Sequence, residues 1–290
     1  MNAQIELEAP LNSTQTRPAP GTRTSRKGDY VLATGSAAVR RLTILHEIYA
    51  PAGRRILLQA GLKEGMRVAD FGCGVGAVTR MLAEMVGPSG HVTGIDLHRT
   101  QLEEASMLCA DDGLTNVSFY NADACRTGLP RDWFDVVYCR FLLLHLPDPF
   151  ACLREMRSVL KPGGLLVIED GDLATATSVP STALDAFAHL FTRLGPIRGV
   201  NYSISNDLYH MVKAAGFSDP EIEIHQPAIP SGQTRFLLQW SVQEAGPGFV
   251  EAGLITREQL AETLADMQAA TENPDVLVIM PRMSLVWARK

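Results

Sequence analysis

"VADFGCGVGAVTRML" runs from Val68 to Leu82. A short apolar run ends at Asp70, glycines follow at 72, 74 and 76, and a helical pattern begins at Ala77. Glycine lacks a Cβ, so it permits positive φ angles and lets another group approach the backbone. A buried strand that turns through glycines into a helix is the opening βα unit of a parallel α/β sheet. Such sheets hold ligands beyond the carboxyl ends of their strands.

The same alternation continues outward. "MRVADF", "HVTGID", "VSFYNA", "FDVVYC" and "LLVIED" read as buried strands. "AVTRMLAEMV", "RTQLEEASMLCADD" and "FACLREMRSVL" lie between them as helices, stopped by Gly87-Pro88, Gly113 and the Lys161-Pro162-Gly163-Gly164 turn. Five strands separated by helices predict a parallel sheet covered on both faces. Upstream, Val39, Leu42, Leu45, Ile48 and Tyr49 recur at helical spacing, and Pro51 is expected to end that helix before a second one at Ile56 to Ala60. Residues 1–28 are rich in Thr, Pro, Ser, Gly and Arg without periodicity and read as a disordered tail. Beyond Gly171 the alternation breaks. Ser181 to Leu194, Ser205 to Ala215, Gln233 to Glu244 and Arg257 to Ala269 are helical, "PEIEIHQPAI" alternates like a strand, and "VLVIMPRMSLVWARK" is a final strand made irregular by Pro281. The predicted organisation is a tail over 1–28, a helical lid segment over 29–61, a ligand-binding α/β core over 62–170, and the rest of the sheet with helical lid insertions over 171–290.

The chain has 290 residues, 46% hydrophobic and 20% charged, which suits a soluble globular protein large enough for a full core. A net charge of −6 argues against a nucleic-acid partner. No apolar run reaches membrane-spanning length and the N-terminus lacks a signal core, so a cytoplasmic location is expected. Five cysteines form no C-x-x-C pair and no zinc-like spacing, so reduced thiols and no metal are expected.

Gly72 to Ala77 also fits the loose dinucleotide pattern G-x-G-x-x-G/A, with Asp96 near the position of its acid. Asp70 beside the loop, the third glycine at 76 and Asp123 at the end of the third strand point elsewhere. Three carboxylates at three strand ends suit a ligand with amino groups and ribose hydroxyls and no phosphates.

"VADFGCGVG", "GIDL", "NADA", "FDVVYCRFLLLHL" and "LKPGG", in this order and spacing, resemble the class I S-adenosylmethionine-dependent methyltransferases. The branch that includes the ubiquinone and menaquinone methyltransferases is the most similar. The resemblance spans Tyr30 to about Asp170. It implies a doubly wound, Rossmann-like α/β fold with a mostly parallel seven-stranded sheet, an antiparallel last strand and a helical lid. It implies S-adenosyl-L-methionine as cofactor. Asp70 would face the amino-acid portion, and Gly72, Cys73, Gly74 and Gly76 would bring backbone to the methionine and ribose. Asp96 would hold the ribose hydroxyls, Leu97 would pack on adenine, and Asp123 with Ala124 would meet the adenine amino group. Arg140 would contact the methionine or acceptor, and Tyr30 would close over the cofactor. Where many relatives carry Gly, this chain has Ala33.

Methyl transfer from a sulfonium needs alignment and water exclusion, plus a base when the acceptor is an acidic O–H or C–H. His145 in "LLLHLPD" is the candidate base, with a loop-ordering role as the other reading. Glu169, Asp170 and Asp172 end the fifth strand and would be solvated or structural, hold the substrate or, as a lesser alternative, bind a metal. His46, Tyr202, Tyr209 and His210 are further candidates at the acceptor. The lid's apolar residues, Phe187, Phe191 and Leu237 among them, suit a small hydrophobic acceptor, and would equally suit helix packing or a homodimer interface. Two alternatives stand beside methyl transfer: a cofactor-bound protein performing cyclisation or rearrangement, and a methyltransferase acting on RNA or protein.

Overall fold

Val68, Ala69 and Phe71 have no solvent-exposed surface, and they place strand β1 (Arg67–Phe71) at the centre of the molecule. The computed structural model describes residues 36–290; the expected tail, Tyr30 and Ala33 lie outside the described residues. Helix α1 (Ser36–Ala60) comes before β1. Then follow α2 (Ala77–Val86), β2 (His91–Asp96), α3 (Arg99–Asp111), β3 (Val117–Asn121), β4 (Phe134–Arg140), α4 (Pro149–Val159) and β5 (Leu160–Asp172). The second half contributes β6 (Thr177–Val179), α5 (Asp185–Arg198), α6 (Leu208–Ala214), β7 (Ser218–His225), β8 (Ala228–Ile229), α7 (Leu237–Glu251), α8 (Arg257–Glu272), β9 (Leu277–Ile279) and β10 (Arg282–Arg289).

Seven strands form one sheet in the order β3-β2-β1-β4-β5-β10-β7. β1 to β5 pair in parallel, while β10 runs antiparallel to both β5 and β7. The connections reverse direction between β1 and β4, which makes their carboxyl ends the switch point where ligands bind. Asp70 stands opposite Tyr138 and Phe71 opposite Cys139, so the glycine loop and Arg140 leave the sheet side by side.

Three departures from the sequence reading have physical causes. Helix α1 does not end at Pro51 but continues to Ala60. Proline removes the N–H that would bond the carbonyl of Glu47, yet Pro51 and Glu47 both face solvent. Buried Ile48, Tyr49, Ala52, Ile56 and Leu57 hold the helix to the core on either side of the break. Helix α7 likewise continues beyond Glu244, through Gly246-Pro247, to Glu251. A Cβ at Gly246 would lie 2.6 Å from Leu260, so the glycine lets α7 and α8 approach closely. The carboxyl-terminal run is two strands, not one. β9 joins a separate sheet in the order β6-β9-β8, and Pro281 separates it from β10.

Candidate active site

The site grows from the loop after β1. Gly72, Gly74 and Gly76 have φ of +70°, +54° and +76°, a region that other residues adopt at a cost. The Gly72 and Cys73 N–H groups donate to the Ile95 carbonyl (2.8 and 3.0 Å), which fixes the loop over the end of β2. Asp96 then organises the next turn. Its Oδ2 accepts from the Gly74 N–H and its Oδ1 from the His98 N–H, both at 2.9 Å. Asp123 accepts from the Cys125 N–H at 2.8 Å. Both carboxylates keep further lone pairs for a ligand.

These residues line one wall of a cavity of about 300 Å³. Gly72, Cys73, Gly74, Asp96, Leu97, Asp123, Ala124 and Arg140 all border it. Leu97 is 64% exposed, an apolar surface suited to a planar base. Leu42, Leu45 and Tyr49 of α1, Phe141 and Leu142 after β4, Phe187 and Phe191 of α5, and Leu237 and Leu238 of α7 complete the lining. His145, in the short 3-10 turn Leu143–His145, also borders it. That turn is held by Asp170, a buried carboxylate accepting from the N–H groups of Leu143 (2.8 Å) and Gly171 (3.0 Å). Asp170 is therefore part of the scaffold. Asp172 is tied to Arg282 (2.9 Å) and Asn206 (3.1 Å).

Several expected site residues stand behind the wall. Gly76 does not meet the cavity; a Cβ there would lie 2.9 Å from Ala105 of α3, so its smallness serves helix packing. Asp70 is buried and accepts from the Thr79 hydroxyl at 2.6 Å. Burial pushes its carboxyl up to about 7, against the pull of Thr79 and Arg140. Glu169 lies wholly buried beneath Gly53 of α1, where a Cβ would collide with its Oε1. Among the described residues, neither Glu169 oxygen has a hydrogen-bond partner, and burial raises its carboxyl to about 6. Tyr138 faces it without meeting hydrogen-bond geometry. His46 also stands outside the wall. Its Nδ1 accepts from Arg140 Nη2 at 2.9 Å, and burial with Arg140 and Arg80 takes its pKa down to about 4. Tyr202 is buried behind His145, edge-on at 5.7 Å, and Tyr209 packs on His210 away from the cavity.

His145 reaches the cavity, but not as a ready base. Burial, aided by Arg41, pushes its imidazole down to about 3, so the ring is neutral at physiological pH. A base that weak is poorly matched to proton abstraction. Arg41 is a site residue that sequence reasoning missed. It is 4% exposed, borders the cavity and pairs with Glu244 of α7 at 2.7 Å. A signal existed: Arg41 precedes Leu45 by four residues and Ile48 by seven, which puts a charge on the apolar stripe of α1.

The arrangement fits an adenosyl amino acid. Asp96 can accept from two hydroxyls and Asp123 from an exocyclic amine, and Arg140, which borders the cavity, has a buried Nη1 with no hydrogen-bond partner among the described residues. Residues 62–216 match the family described as "Methyltransferase domain". The chain belongs to this methyltransferase family. It is 32% identical over 167 residues to the demethylmenaquinone methyltransferase of Staphylococcus aureus, covering 58% of this chain and 67% of that one. The methyltransferase fold is shared with a SAM-dependent methyltransferase from Aquifex aeolicus (TM-score 0.53, 19% identity, 89% of this chain and 99% of that one). It is shared too with Haemonchus contortus phosphoethanolamine N-methyltransferase 2, solved with phosphomonomethylethanolamine and S-adenosylhomocysteine (TM-score 0.53, 19% identity, 87% and 52%). The protein is a methyltransferase by this membership. The matched family and the relatives similar in sequence are methyltransferases, so the cyclisation alternative is not favoured, although the fold is shared with a [4+2]-cyclase as well (TM-score 0.52, 22% identity, 90% of this chain and 85% of that one). Among the described residues, no grouping of His, Cys, Asp and Glu could hold a metal, and no helix is long and apolar enough to cross a membrane.

Proposed function

We propose that the cavity methylates a small, largely apolar metabolite held beneath α1, α5 and α7. The observation that carries this reading is continuity. A single cavity joins the glycine loop, Asp96 and Asp123 to a chamber walled by Leu45, Phe141, Phe187, Phe191 and Leu237. Sites for small ligands have this character, an apolar wall with a few placed polar groups. When bound, S-adenosylmethionine supplies a methyl group on a cationic sulfur that departs neutral. Asp96 holds the ribose hydroxyls, Asp123 and Ala124 the adenine edge, Leu97 its face, and Arg140 the carboxylate. The lid helices exclude water and orient the acceptor, which supplies the main catalytic effect for so good a leaving group. His145 acts as a neutral hydrogen-bonding group toward the acceptor. The net charge of −6 supports a small acceptor over a nucleic acid, and five free cysteines support a reducing cytoplasm.

Calorimetry with S-adenosylmethionine, S-adenosylhomocysteine and NAD tests the cofactor half. Micromolar binding of the first two is expected, and preferential binding of NAD would overturn the assignment.

A further inference from the structure

Three side chains of one buried patch hold four polar atoms with no hydrogen-bond partner among the described residues: both carboxylate oxygens of Glu169, the Tyr138 hydroxyl and Arg140 Nη1. The register of the sheet builds the patch. Arg140 of β4 stands opposite Glu169 of β5, and Tyr138, two residues before Arg140, shares its face and stands opposite Asp70 of β1. Helix α1 seals this face. Its Gly53 packs on the Glu169 carboxyl, where a Cβ would collide, and its His46 accepts from Arg140 Nη2 at 2.9 Å. Glu169 has no exposed surface and no part in the cavity wall, whereas Arg140 borders the cavity. Arg140 therefore connects a sealed carboxylate to the ligand space.

We infer that Glu169 is the internal counter-charge of Arg140, and that it gives up this role to the carboxylate of the bound cofactor, taking up one proton from solvent as that carboxylate arrives. The inference rests on the assignment of Arg140 to the cofactor's carboxylate. A carboxylate removed from water keeps its charge only beside a cation and otherwise binds a proton. Arg140 is the cation that draws Glu169 toward its charged form, against burial. A second anion at the same guanidinium leaves Glu169 without sole use of that charge, and protonation restores the balance. Arg140 and Glu169 carry one charge of each sign before binding; Arg140 and the ligand carboxylate carry them after it. Glu169 acts through Arg140 and is a positioning residue. With its carboxyl at about 6 in the free protein, it is charged at neutral pH and near enough to neutrality for a ligand to tip it. Tyr138 of β4 and Tyr49 of α1 are held protonated by burial, and His46, at about 4, is neutral. From β10 the residue opposite Glu169 is Leu285, which carries no charge. Asp70, at about 7, is the other group able to take up a proton.

Calorimetry on the full-length protein at pH 7, in phosphate and in Tris, counts the protons taken up, because the two buffers differ in ionisation heat. The ligands are S-adenosylhomocysteine and 5′-methylthioadenosine, which lacks the amino-acid portion. S-adenosylhomocysteine is expected to bring at least about half a proton into the protein and 5′-methylthioadenosine less than about a tenth, with the affinity for the first falling relative to the second as pH rises from 6 to 8. Glu169→Gln should abolish the uptake and bind S-adenosylhomocysteine about tenfold more tightly than wild type at pH 8, since its side chain needs no proton to release Arg140. Asp70→Asn should keep the uptake. A merely structural Glu169 predicts instead that the Gln variant weakens both ligands alike, and that result overturns the proposal. Absence of uptake in the wild-type protein also overturns it, as does equal uptake with both ligands or uptake that Asp70→Asn removes; in each case binding of S-adenosylhomocysteine leaves the methyltransferase reading standing. Failure of S-adenosylhomocysteine to bind overturns both. If Glu169→Gln does not fold, the wild-type protein and Asp70→Asn decide.

Discussion

Asp96 carries two duties that substitution can separate. Its carboxylate pins the Gly74 and His98 amides, and its remaining lone pairs are proposed to hold the ribose. Asp96→Ala is expected to weaken S-adenosylmethionine binding by about 1.5–3 kcal/mol, the range for hydrogen bonds to a charged group, with the fold retained. Calorimetry beside a melting curve checks this, and unchanged affinity in a folded variant contradicts the ribose assignment. His145→Ala should lower turnover about ten- to a hundredfold while leaving cofactor affinity within about twofold, as expected for a lost hydrogen bond to the acceptor. With the imidazole down near 3, the activity profile from pH 5 to 9 should show no limb that disappears in this variant. Asp70 gives a prediction about stability. Its carboxyl titrates near 7 in the folded protein, against about 3.9 in an unfolded chain. A raised pKa means that the folded state holds the proton more tightly, so the stabilisation is full below about pH 4 and is lost as pH rises through 7. Asp70→Asn keeps an acceptor for Thr79 and cannot ionise. Its stability relative to wild type should climb by up to about 4 kcal/mol between pH 4 and 8, at about 1.36 kcal/mol per unit. Urea unfolding across that range measures it, and a constant difference would contradict it. At this scale, Asp96 and Asp123 were legible because a strand's end is marked by its sequence. Glu169 and His46 were not. Position at a strand end or on a helix does not tell whether a side chain turns into the cavity or behind its wall, and only the packing of α1 over β5 settled that.

The glycine loop shows how one element divides its labour. Gly74 opens toward the cavity, where a Cβ would lie 3.2 Å from Gln101 and 3.3 Å from Leu42, whereas Gly76 opens onto α3. Gly76→Val should therefore act on stability, costing about 2–4 kcal/mol through its positive φ and the clash with Ala105. Gly74→Val shares the positive-φ strain but lacks the clash with Ala105, and it should in addition abolish cofactor binding. Thermal melting and calorimetry on the pair separate the two roles; equal loss of stability in both would contradict the division. Spacing alone made the two glycines look equivalent, because the neighbour that each one meets comes from a different helix. The βα alternation from β1 to β5 was legible for a simpler reason: fully buried parallel strands read as continuous apolar runs between helix stops. Pro51 misled because a proline's effect depends on which face of the helix it occupies, and on the solvent face of α1 core anchors on both sides carry the helix through. The β6-β9-β8 sheet was hidden by its short strands, which pair residues as distant as Thr177 and Ile279.

Across the whole molecule, one cavity joins the glycine loop of the sheet, proposed as the cofactor end, to α1, α5 and α7, proposed as the acceptor end. The first is written in local motifs and was readable from them. The second is assembled from α1, α5, α7 and the turn at His145, segments far apart in the chain, so no local pattern announced its shape or its charge. The chemistry depends on that union, because a fold of this kind supports many functions and the site decides among them. The most direct measurement supplies the protein with S-adenosylmethionine carrying an isotopically labelled methyl group, together with an apolar metabolite extract, and follows products by mass spectrometry. The account predicts a new apolar product heavier by one labelled methyl group, S-adenosylhomocysteine in equal amount, and loss of both with Gly74→Val. A product of unchanged mass, formed without consumption of S-adenosylmethionine, would contradict it.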